Sequence, residues 1–308
     1  MIVRSNPNLL KLFFILRGSI IPRIFPQVAV VSCLSAALVW AHKNHPDIVP
    51  SLNGAPFSLL GIALSVFLGF RANACYDRWW EARKEWGTLI IAARTFGRQT
   101  NMLDIKTGID APVTRKRMVS MTIAFCHELV SFLRPSETRT DAVDHITAGN
   151  RKQYARSHNK PNALLCQMST DLYSAHAKGQ ISDIQLQMLD NSVQQMGAAV
   201  ASCERIRFTP VPFGYTLLLH RTAHLFCLLL PFGFADLLGW ATPFISALIA
   251  YTFFGLDALG DELEEPFGTG PNDLPINALA TIVEINLRED LGETDLPAFP
   301  QPKDYLLL

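Results

Sequence analysis

The chain has 308 residues and sets 27 Lys and Arg against 27 Asp and Glu, a balance that argues against a general binder of nucleic acid or anionic lipid. Apolar residues make up 49%, charged residues only 18%, and the mean hydropathy is +0.19, so the polar skin of a soluble domain is missing and the composition points toward lipid. With 18 Gly, 19 Pro, no low-complexity tract and no repeat of fixed period, collagen-like, disordered and solenoid architectures are excluded.

The N-terminal stretch LLKLFFIL resembles the apolar core of a signal peptide, but Lys11 and Arg17 interrupt it and no small-residue cleavage site follows. An amphipathic helix lying on the inner membrane face is expected over residues 1–23. Two charge-free stretches follow. Ile24 to Ala41 lies between Arg23 and Lys43, and Ile48 to Phe70 runs uncharged as far as Arg71, each long enough to cross a bilayer. Lys and Arg flank the outer ends of this pair (Arg4, Lys11, Arg17, Arg23; then Arg71, Arg78, Arg83, Lys84), whereas the intervening loop has only Lys43, so both ends are expected on the cytoplasmic side.

No proline occurs between Phe57 and Ala111, and the second span is expected to continue as one helix to about Met102. Thr114 to Leu133, Asn162 to Lys178 and Ile181 to Ile206 read as further helices, and the polar segment Ser136 to Pro161 as a loop. Thr209 to Ala235 is apolar except for Arg221, flanked by His220 and His224, and Leu237 to Leu256 is a fourth span bounded by Asp236 and Asp257. The expected order is an interfacial segment (1–23), two spans (24–75), a cytosolic helical insert (76–208), two spans (209–256) and a cytosolic tail (257–308). No strand pattern of any length is present, so the class is all-α.

The six cysteines are spread along the chain without a C-x-x-C pair, which fits a reducing compartment and reads as small buried hydrophobes. There is no phosphate-cradling G-x-x-x-x-G-K-[ST], no G-x-S-x-G and no H-E-x-x-H, so nothing opens an enzyme reading. His220 and His224 stand at i, i+4 with the spacing of a metal pair. No third ligand neighbours them in the sequence, and the pair reads as polar packing. On the second span Ile62, Val66 and Phe70 recur at four-residue spacing and form a line on one helix face.

Directly beyond that line comes GFRANACYDRWWEARKEWG, Gly69 to Gly87. Arg78, Trp79 and Trp80 resemble the signature of the bestrophin family, and Trp80-Glu81-Ala82-Arg83 is similar to its bacterial branch. VPFGYTLLLHRTAHLFCLLLPFG, from Val211, resembles the family's third membrane helix through Pro212, Tyr215 and Thr216, and GDELEEPFG, with Pro266, Phe267 and Gly268, resembles its acidic-turn motif.

The resemblance, which spans essentially the whole chain, implies a ring-shaped homopentamer in the bacterial inner membrane, with termini in the cytoplasm and one central pore for small monovalent ions. It implies a neck lined by Ile62, Val66 and Phe70, and a second aperture at Ile184, with Ile181 one turn earlier as the competing choice. Animal members conduct anions, whereas cation conduction occurs in the bacterial branch; Asp257, Asp261, Glu262, Glu264 and Glu265 would favour cations if they faced the vestibule. The family's calcium clamp is expected to be incomplete. Glu262, Glu265 and Asp273 fall on its positions, but Gly270 stands where a carboxylate belongs, so no cofactor and no calcium gating are expected. A non-conducting membrane scaffold and a membrane-embedded enzyme are the competing classes.

Overall fold

A computed structural model describes residues 1–4, 8, 14–16, 18–45, 54–105, 111–135 and 151–308, apart from the side chains of residues 152 and 153. The helices are α1 (Ile21–Asn44), α2 (Ala55–Thr100), α3 (Met102–Ile105), α4 (Ala111–Leu133), α5 (Arg151–Arg156), α6 (Lys160–Ala177), α7 (Asp183–Phe208), α8 (Phe213–Leu238), α9 (Thr242–Glu264) and α10 (Ile276–Asp290), with a 3-10 turn at Gly239–Ala241 between α8 and α9. Among the described residues there is no strand, only the isolated bridges Ile2 to Leu306 and Lys303 to Leu306. The chain divides into two compact units, Arg4–Trp79 with Pro210–Pro266, and Met1–Val3 with Trp80–Thr209 and Phe267–Leu308.

The first unit holds α1, α8, α9 and the start of α2, packed around Ile24, Val31, Leu64, Leu68, Ala223, Phe226, Leu230, Phe253 and Phe254. Three helical stretches, Ile21–Asn44, Ala55–Ile105 and Phe213–Glu264, are long and apolar enough to cross a membrane. Within them hydroxyls are turned back onto the helix: Ser65 donates to the Gly61 carbonyl at 2.8 Å and Ser35 to the Val31 carbonyl at 2.7 Å, so no hydroxyl of these two is left bare in an apolar setting. The outward faces carry Phe25, Trp40, Leu59, Leu225, Leu237 and Phe244, an apolar skin that water would not stabilise.

The second unit is built around α4, which packs against α3, α6, α7 and α10 and is buried on nearly all sides from Met118 to Val130, where apolar residues predominate. Trp86, Phe96, Met118, Phe125, Leu129, Leu164 and Met168 fill its interior. The chain ends meet here, with the Ile2 amide donating to the Pro271 carbonyl and the Val3 amide to the Tyr305 carbonyl, both at 2.8 Å.

Several boundaries differ from those expected. Of the interfacial helix expected over 1–23, residues 5–7, 9–13 and 17 lie outside the described residues, and Ile2 is in a bridge. Residues 136–150 of the expected loop also lie outside them, but its far end forms α5. The fourth apolar helix does not stop at Leu256; it continues to Glu264 because its acids find cationic partners, described below. The tail contains an amphipathic helix, α10. The third insert helix starts at Asp183, because Ser182 and Gln185 form a reciprocal capping box. Cys33 and Cys166 are exposed, whereas the other four cysteines are buried, and burial pushes the Cys126 and Cys203 thiols up to about 12.

Candidate functional site

The α2 helix offers one face to its unit and leaves another bare. Leu64 and Leu68 are buried in the core, while Ile62, Val66 and Phe70 are 64%, 48% and 61% exposed. Eight residues along a helix is about 12 Å, so the three side chains form an apolar stripe of that length. The buried side is fixed by close approach. A Cβ on Gly61 would come 3.2 Å from Phe226 Cζ, and the Tyr215 hydroxyl donates to the Phe67 carbonyl at 3.0 Å.

Immediately past this stripe, at Arg71, lies a cluster that sequence reasoning missed. Arg71 is 1% exposed; its Nη1 donates to Asp257 Oδ1 at 2.7 Å and to the Asp257 carbonyl at 3.1 Å, and its Nη2 to Asp261 Oδ1 at 2.6 Å, with Glu264 Oε2 at 3.4 Å. Gly260 makes room, since a Cβ there would lie 3.2 Å from Arg71 Nη1. Arg23 holds Asp261 Oδ2 at 2.6 Å and stands 3.9 Å from Glu262. On the other side His220 Nδ1 lies 2.7 Å from Asp257 Oδ2. The signal was present in the sequence: Asp257, Asp261 and Glu264 at i, i+4 and i+7 share one face of a helix, and Arg71 ends an uncharged stretch.

The motif residues hold helix ends and turns. Arg78 donates through Nε and Nη2 to the carbonyl of Glu264, the last residue of α9, at 3.3 Å each, satisfying one of the carbonyls a helix C-terminus leaves open. Trp79 stacks on Tyr76, with ring centroids 6.3 Å apart, and the Arg83 guanidinium lies 5.0 Å from the centre of the Trp80 ring. Pro266 is buried and Gly268 half-buried. Phe267 is buried, and its carbonyl accepts from Arg134 Nε while the Leu274 carbonyl accepts from Nη2, both at 2.8 Å, so Arg134, unremarked in the sequence, pins the turn.

The two aperture candidates separate sharply, since Ile184, in the first turn of α7, is 73% exposed and Ile181 is 2% exposed. Of the calcium-position acids, Glu262 sits near Arg23, Glu265 is an exposed residue just past α9, and Asp273 closes a turn by accepting from the Gly270 amide at 2.6 Å. Among the described residues the group with metal-ligand geometry is instead His220, His224 and Asp257.

Comparisons with known proteins identify the family. A family model described as Bacterial/Fungal Bestrophin protein matches residues 1–289. A voltage-dependent anion channel-forming protein of Mesorhizobium japonicum is 43% identical over 99% of this chain and 97% of its own, and one of Escherichia coli K12 is 38% identical over 97% and 96%. The crystal structure of a bacterial bestrophin homologue from Klebsiella pneumoniae, a single-site variant, superposes with a TM-score of 0.81 at 37% identity, covering 88% of this chain and all of that one. The helical fold, the apolar spans and the motifs around Arg78 and Pro266 thus belong to a membrane protein, and the chain is a member of the bacterial and fungal bestrophin family.

Proposed function

We propose that the protein is a passive ion channel in which five copies close into a ring in the bacterial inner membrane, each crossing four times with α1, the first part of α2, α8 and α9. The termini lie in the cytoplasm. The observation that carries this reading is the stripe of Ile62, Val66 and Phe70, a continuous apolar surface that the chain itself leaves uncovered. On a symmetry axis it becomes three stacked apolar rings, a neck that controls ions through its width and wetting and holds no charge to trap them. Ile184 forms a second ring at the cytosolic mouth; Ile181, buried in its unit, packs the helix that carries it.

The conducted ions are small monovalent anions. The acids that would favour cations are largely engaged, as Asp257, Asp261 and Glu264 are turned to Arg71, and Glu262 lies beside Arg23. The curated relatives' names, anion channel-forming, support the same sign. Calcium does not gate the pore, because Asp273 is spent on a turn and Gly270 offers no carboxylate.

The test is the reversal potential of the purified protein in a planar bilayer under a potassium chloride gradient. A value near the chloride equilibrium potential is expected. A value near that of potassium would overturn the anion assignment, and a silent bilayer would overturn the channel itself in favour of a scaffold.

A further inference from the structure

The i, i+4 histidines of α8 lack a third ligand in the sequence, and the fold supplies one. Asp257, on α9, brings its Oδ2 to 2.7 Å from His220 Nδ1, and one ligand atom from each of His220, His224 and Asp257 lies within 4.8 Å of the others. From this geometry we infer that His220, His224 and Asp257 form a binding site for a divalent transition metal of the zinc class, in the α8–α9 pair and distinct from the pore stripe.

The chemistry fits the ion class. Two imidazoles and one carboxylate are the donor set of an open zinc site, whereas calcium takes six to eight oxygens and would find too few. The ligands are also held from behind. His224 Nδ1 lies 2.8 Å from the His220 carbonyl, which can only accept, so Nδ1 carries the proton and Nε2 keeps a bare lone pair. Asp257 is 4% exposed, and Arg71 grips its Oδ1, leaving Oδ2 for the histidine side. Such fixed tautomers and anchored carboxylates are the outer shell that metal sites require.

The surroundings are acidic: Arg23 and Arg71 meet the carboxylates of Asp257, Asp261, Glu262 and Glu264, and Arg78 donates to the Glu264 carbonyl. There is room as well. A cleft of about 70 Å³ lined by His220, His224, Phe254 and Asp257, with the ion-paired Arg23 and Asp261 at its side, has space for an ion and a water in its fourth position. Tetrahedral bonds of about 2.0–2.1 Å put ligand atoms about 3.3 Å apart, a closure that side-chain rotation can supply. The entering ion takes the place of the direct contact between His220 Nδ1 and Asp257 Oδ2.

The experiment uses the full-length protein in detergent, stripped with chelator and dialysed against zinc, with bound metal measured by mass spectrometry and cobalt(II) as a spectroscopic probe. One zinc per chain and the intense visible bands of tetrahedral cobalt are expected. His224→Ala and His220→Ala, each checked for unchanged assembly by size exclusion, should fall well below one zinc per chain in the same dialysis and abolish the cobalt bands. Absence of bound metal in the unaltered protein, or equal binding by it and both variants, would overturn the site. None of these readouts needs current, so the result stands apart from the channel assignment.

Discussion

Arg71 and Asp257 form a buried ion pair, Nη1 to Oδ1 at 2.7 Å, between two apolar helices, with side-chain exposures of 1% and 5%. Charges so placed are costly unless paired, and removing one partner leaves the other stranded. Arg71→Met should therefore destabilise the first unit by roughly 3–5 kcal/mol. Arg71→Lys keeps the charge but loses the fork that reaches Asp257 and Asp261 together, and should fall between. Thermal unfolding in detergent checks both; a melting temperature unchanged in Arg71→Met would refute the role given to the pair.

The two isoleucines of the aperture make opposite predictions. Ile184→Ala should leave stability unchanged and raise the permeability of large anions relative to chloride, since its side chain reaches solvent at the head of α7. Ile181→Ala should instead cost about 2–5 kcal/mol by opening a cavity, with little effect on permeability. Bi-ionic potentials and unfolding midpoints measured on both variants separate the assignments, and the reverse pattern would exchange them.

Acid should loosen the second unit through Glu284. His127 Nε2 at 2.8 Å and Arg288 at 3.3 Å hold its carboxyl below the usual glutamate range, the His127 hydrogen bond contributing most. A depressed carboxylate stabilises the fold above its unfolded pKa, and that contribution is lost as pH falls through the folded value. Stability should drop as pH falls below the ordinary glutamate range, and Glu284→Gln should remove part of that slope while costing about 2 kcal/mol at neutral pH. An acid slope identical in the variant would rule this pair out as its source.

How much was legible in the sequence follows from what each signal depends on. The length of α2 was readable because proline-free continuity is local, and Ala55–Thr100 nearly coincides with the expected helix. The apolar span to Leu256 was readable as an uncharged stretch, whereas the arginines that let α9 continue through its acids to Glu264 come from α1 and α2, far away in the chain. The apolar line on α2 was visible as spacing, but only packing shows that Leu64 and Leu68 turn inward while Ile62, Val66 and Phe70 do not. The histidine pair was legible, and its third ligand was not, since Asp257 lies 37 residues from His220. Arg134 could not have been singled out, because the backbone carbonyls of Phe267 and Leu274 that it binds carry no sequence signature.

Calcium offers a further check. With Asp273 closing its turn on the Gly270 amide, currents recorded in calcium and in calcium chelator should be the same. A reversible rise in open probability on adding calcium would contradict the incomplete clamp.

The neck is the central claim, and widening it tests that claim most directly. Val66→Ala with Phe70→Ala removes bulk from two of the three apolar rings proposed for the neck and should raise single-channel conductance by lowering the dewetting barrier, with the assembly unchanged on size exclusion. An unchanged single-channel current from intact pentamers would contradict a pore lined by this face of α2.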